Sequence, residues 1–179
     1  MRLLTMIADR IADLFGIAAK LTIIALIGSM LYEVVARYGF NAPTLWAFDI
    51  SYMLNGSIFL LGSAYALKAD AHVRIDFLSQ MLPVRVQQWL NASVYLLVML
   101  PLTGALAYVA TGKAWRAFLS GEVESVSPWA PYVWPFYSVL AIGLAILALQ
   151  FMAEGAKYLL GWIQPGAHAG EVDSESLSS

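Results

Sequence analysis

The sequence predicts an all-α membrane protein with four transmembrane helices. Three observations carry this. Hydrophobic residues make up 60% of the 179 residues and charged residues 12%, against about 25% charged in ordinary soluble domains. Mean hydropathy is +0.71, and the charges sit between apolar blocks rather than within them. Four blocks are long enough to cross a hydrocarbon core of about 30 Å at about 1.5 Å per residue. A crossing without charge satisfies its backbone internally, so each block must be helical. We expect one four-helix domain over about residues 1–164 and a disordered acidic, serine-rich tail over 165–179. The absence of cysteine rules out disulfides and thiolate chemistry.

The first span is expected over about residues 14–37. It exceeds a signal-peptide core, carries Lys20 and lacks a small-residue cleavage site, so it reads as an uncleaved helix. Asp13 and Lys20 share a face two turns apart. Glu33 and Arg37 have the spacing of a helix-end ion pair; Arg37 is also a candidate contact for a partner subunit. The turn Gly39 to Trp46 contains Pro43, which disfavours helix at Ala42. Thr44 is the expected N-cap of the second helix, with Trp46 at the membrane interface.

The second span is expected over about residues 47–67. Asp49 falls in its first turns, where it either complements the helix dipole or meets a neighbouring subunit. Asn55, Gly56 and Gly62 are small or polar members of this span. Asn55, Gly62 and Ala66 share a face, which allows close helix packing. That packing partner is either this chain's own bundle or another protein.

A short amphipathic helix lying on the membrane is expected over about residues 73–82, ended by Pro83. Just before and within it, His72, Arg74 and Asp76 alternate. They read as a solvated or headgroup-facing loop, or as a contact with a partner. The third span is expected over about residues 86–110, with a kink at Pro101. Residues 112–128 read as a polar connection with Trp115 lying at the interface. The fourth span is expected over about residues 133–160. Trp115, Trp129 and Trp134 are candidate interfacial anchors.

Orientation follows from bases near the membrane. Arg2, Arg10, Lys68, Arg74, Arg85 and Lys157 lie towards one side; Arg37, Lys113 and Arg116 lie towards the other. The richer side, with Lys20 adding to it, is expected to be cytoplasmic and to hold both termini.

The sequence carries no sign of an enzyme. The two histidines, His72 and His168, lie outside the spans, so no helix-borne haem is expected. There is no glycine-rich phosphate loop and no H-E-x-x-H motif. No internal repeat and no acid deep in a span suggest a self-sufficient secondary transporter. We expect no cofactor, no bound metal and no nucleic-acid partner.

The run Arg37-Tyr38-Gly39-Phe40-Asn41, then Pro43, Trp46 and Asp49, resembles the small membrane subunit (DctQ-type) of TRAP transporters, the tripartite ATP-independent periplasmic family. Ala64 to Lys68 and His72 to Asp76 continue the likeness, and length and helix number agree. The resemblance implies a multi-pass protein of the bacterial inner membrane. It implies a large TRAP membrane subunit as partner, carrying the sodium and substrate sites. A periplasmic substrate-binding protein would deliver an organic anion, a carboxylate or sulfonate. The small subunit would be part of a stationary scaffold, seated in the phospholipid bilayer, for an elevator-like transport domain. Two other functions stay open on the residues alone: a small self-assembling transporter or channel using Glu33 or Asp49, and a membrane anchor for an enzyme complex.

Overall fold

A computed structural model describes residues 2–69 and 83–160. The expected amphipathic helix at 73–82, His72, Arg74, Asp76 and the 165–179 tail lie outside the described residues. Elsewhere the chain is helical, with an isolated antiparallel bridge between Val123 and Tyr132 in the last connection. The helices are α1 (Arg2–Gly39), α2 (Ala47–Lys68), α3 (Val84–Ser93), α4 (Leu100–Ser120) and α5 (Trp134–Leu159), with a π-helical segment at Val94–Met99 joining α3 to α4. Among the described residues four rods are long and apolar enough to cross a membrane: Thr5–Gly39, Ala47–Lys68, Val84–Ser120 and Trp134–Leu159.

Several boundaries differ from the sequence expectation, each for a local reason. α1 starts at Arg2 rather than near residue 14. Ala8 and Ala12 are buried on this early stretch, which lets neighbouring helices approach. Asp9 and Asp13, one turn apart, both find lysines. α1 ends before Asn41, which takes a left-handed φ of 51°, and the Ala42 N–H returns to the Ala36 carbonyl at 2.9 Å. Thr44 does not cap α2: the N-cap is Trp46, without a side-chain bond. Thr44 instead donates its N–H (3.0 Å) and its hydroxyl to the Glu33 carboxylate.

The third crossing is longer than expected, running unbroken to Ser120. The irregularity lies N-terminal to Pro101, as the Val94–Met99 π segment, rather than at the proline itself. Proline has no N–H to offer its preceding turn, and a locally widened register accommodates that loss. The true stop is Gly121. It adopts φ 64°, a left-handed conformation that glycine takes without a Cβ penalty, and the Glu122 N–H closes onto the Ala117 carbonyl at 3.1 Å. Lys113, Trp115 and Arg116 therefore sit on the last turns of α4, not in a connection.

Among the described elements, α5 is the one against which the others pack. α1 and α2 pair with each other and with α5, while α3, the π segment and α4 pack on α5 from elsewhere. Small residues set these approaches. A Cβ on Gly143 of α5 would lie 2.8 Å from the Leu60 Cβ and 3.1 Å from its backbone. A Cβ on Gly56 of α2 would lie 2.9 Å from the Phe136 ring. Leu67, Leu147 and Phe151 form the apolar core, with Tyr95, Met99 and Leu100 against it.

Candidate docking surface and ionic anchor

Charge in this molecule is organised at the two ends of the bundle. At the end that holds the N-terminal turns, Lys157 of α5 donates to Asp9 of α1 and to Glu154 of α5, both at 2.8 Å. Gln150 donates to the same two carboxylates at 3.0 and 2.9 Å. Lys68 of α2 pairs with Asp13 of α1 at 2.6 Å and reaches the Asp9 carbonyl at 3.3 Å. Three helices are thus fastened by one polar network. Gln150 and Glu154 are 1% and 4% exposed, so the centre of the network is buried, whereas the Asp13–Lys68 pair at its edge is half-exposed. Asp13 pairs with Lys68, and not with Lys20. Lys20 instead stands over the Tyr65 ring, 5.5 Å from its centroid.

The sequence carries a signal for this network in the fourth span. Gln150, Glu154 and Lys157 fall at i, i+4 and i+7 and so line one helical face. Glu154 lies within the last two turns of α5 and is buried among the helices.

At the other end, Arg37 donates to Glu33 through Nε (2.8 Å) and Nη2. Glu33 also receives Thr44, so one carboxylate holds the helix end and the following turn together. Trp46 stacks on Tyr32 with ring centroids 5.6 Å apart. Asp49 is buried and accepts the Ser127 hydroxyl, joining the start of α2 to the last connection. Trp115 stacks on Phe118 at 6.1 Å, and Phe118 meets Trp134 edge-on at 5.4 Å. The Trp129 N–H bonds the Ser127 hydroxyl at 3.2 Å. This aromatic belt has a cation at its edge: Lys113 lies 4.4 Å from the Tyr137 ring centroid.

The small-residue stripe of α2 divides in two. Gly56 and Gly62 face inward, the first against Phe136 and the second 3.7 Å from the Ala19 Cβ. Asn55 is exposed on the outer surface, with Phe48 and Tyr52. With Leu26, Met30 and Ser51 these three line an open groove of about 420 Å³. Beyond Phe48, a second hollow of about 350 Å³ contains Asp49 and Glu124 among Leu45, Met53 and Val126. Among the described residues no cluster of acids or histidines has the arrangement of a metal site.

Comparison with known proteins agrees with this architecture. The family model for the DctQ component of tripartite ATP-independent periplasmic transporters matches residues 26–159. The sialic acid TRAP transporter small permease protein SiaQ of Vibrio cholerae is 28% identical over 139 residues, covering 76% of this chain and 78% of that protein. The C4-dicarboxylate TRAP transporter small permease protein DctQ of the same organism is 23% identical over 171 residues, covering 82% and 72%. The sialic acid TRAP transporter permease protein SiaT of Haemophilus influenzae is 31% identical over 75 residues, which is 42% of this chain but 12% of that longer protein. These relatives are transport subunits rather than enzymes, in agreement with the residues. With four crossings in place and the match extending over most of its length, the chain belongs to the DctQ component family of the tripartite ATP-independent periplasmic transporters.

Proposed function

We propose that this chain is the small permease subunit of a TRAP-type secondary transporter and acts as part of its stationary scaffold. It pairs with the large membrane subunit in the bacterial inner membrane, with both termini in the cytoplasm. The large subunit carries the sodium and substrate sites. A periplasmic binding protein supplies the substrate, an organic anion bearing a carboxylate or sulfonate.

The observation that carries this reading is the ionic anchor. Asp9, Gln150, Glu154 and Lys157, with Asp13 and Lys68 beside them, bind α1, α2 and α5 into one block. A brace needs such a block, because a moving domain works only against a neighbour that does not yield. The anchor's three carboxylates are each held by a lysine of the same chain, and two of them by Gln150 as well. The relatives' names support an anionic substrate, one being for sialic acid and one for C4-dicarboxylates. In the Haemophilus protein the similar segment is a small part of one longer permease chain, which supports a permease as the partner here.

The test is co-purification. The large permease, expressed together with an affinity-tagged form of this chain, is expected to elute with it from detergent at a constant ratio. Elution of this chain alone, from membranes that contain both, would contradict the proposal.

A further inference from the structure

The outer face of α2 has a feature that lipid cannot satisfy. Asn55 lies eight residues beyond the start of α2 at Ala47, about 12 Å along the helix axis and so within the hydrocarbon layer. It is exposed, and among the described residues its carboxamide has no hydrogen-bond partner. The hydroxyls within the spans behave differently. Thr22, Ser57, Ser63 and Thr103 each return theirs to a carbonyl in the preceding turn at 2.7 to 2.8 Å, and Ser29 and Ser51 face each other at 3.3 Å. Acyl chains offer neither donor nor acceptor, so an unpaired carboxamide at this depth needs a protein group to meet it.

We propose that the face of α2 bearing Phe48, Tyr52 and Asn55 is where a transmembrane helix of the large permease packs, with a polar group of that helix hydrogen-bonded to Asn55. This rests on the proposed scaffold function and adds the place of contact. The groove between α1 and α2 beside these residues is open along its length and takes the ridge of one helix. At the membrane surface the groove meets the hollow holding Asp49 and Glu124. Neither carboxylate has a cationic partner among the described residues; Asp49 takes the Ser127 hydroxyl, and Glu124 takes the Val126 N–H at 3.4 Å. The docking helix therefore carries a basic side chain at that level, its stem against Phe48 and Val126 and its charge on the acids.

A second copy of this chain fits less well. A two-fold pair in a membrane brings identical residues together at equal depth. It would set the Asp49 and Glu124 of one copy against those of the other.

The chain contains no cysteine, so single-cysteine variants report cleanly. Asn55→Cys, Phe48→Cys and, on the exposed side of the π segment, Leu97→Cys are each expressed with the large permease. Leu97 is 75% exposed. The membranes are labelled with a thiol-directed photocrosslinker, irradiated and analysed by mass. An adduct with the large permease is expected at positions 48 and 55 and none at 97. Three results would overturn the proposal: an adduct at 97 without one at 55, an adduct of twice this chain's mass at 55, or no adduct at 48 and 55 in a complex that still co-purifies. Failure to co-purify even with the unsubstituted chain refutes the scaffold function itself, and the docking site falls with it.

Discussion

Replacing Lys157 by methionine is expected to cost about 3 kcal/mol of stability, the lower end of the loss caused by removing one partner of a buried ion pair. The Lys157 side chain is 12% exposed and serves two carboxylates. Methionine keeps the length and apolar stem but leaves Asp9 and Glu154 facing each other without a cation. Glu154 cannot turn to water, being buried in α5. For a chain of this size the loss corresponds to a fall of about 6–12 °C in the unfolding midpoint, readable by thermal denaturation in detergent. A double variant, Lys157→Met with Glu154→Gln, is expected to recover a large part of the loss, because it removes the more deeply buried of the two stranded charges and leaves Asp9, whose side chain is 26% exposed, within reach of water. The two changes are in contact and are not expected to add. An unchanged midpoint for Lys157→Met would mean that the anchor does not hold the bundle.

The second large effect concerns the α2–α5 contact. Gly143→Val is expected to destabilise by about 3 kcal/mol, at the top of the usual range for overpacking. Its Cβ would press on the Leu60 backbone, which cannot move aside as a flexible side chain could. Gly28→Val is the matched control. Nothing lies within 4 Å of a Cβ at Gly28, so a change within about 0.5 kcal/mol is expected there. Equal midpoints for the two variants would contradict the close approach of α2 and α5.

The four crossings are legible in the sequence because bilayer thickness sets their length and hydropathy marks them directly. The corresponding helices include α2 over Ala47–Lys68 and α5 over Trp134–Leu159. The far end of the third crossing is not legible. Lys113 and Arg116 look like a connection, although lysine and arginine propagate helix well and Gly121 holds the left-handed stop. Gly112, the glycine that suggests the earlier boundary, lies within α4 with nothing near it.

The contacts that fix the bundle join residues distant in sequence, and spacing within one helix cannot supply them. Asp9 meets Gln150 and Lys157, and Asp49 meets Ser127. Glu33 illustrates a partial success. Its pairing with Arg37 follows from the four-residue spacing, but its hold on Thr44 across the turn does not. On α2, the periodicity places Asn55 and Gly62 on one broad face. The packing of α5 and α1 then puts Gly56 and Gly62 inside and leaves Asn55 outside, a division that depends on where the neighbouring helices sit.

The most direct measurement of whether this chain is a brace rather than a pump is solute accumulation in proteoliposomes. Vesicles would contain this chain alone, the large permease alone, or both, with a loaded periplasmic binding protein outside and an inward sodium gradient. Accumulation is expected where both membrane subunits are present and in neither single-subunit preparation. Accumulation against a gradient by vesicles holding this chain alone, or undiminished accumulation by the large permease without it, would contradict the scaffold role.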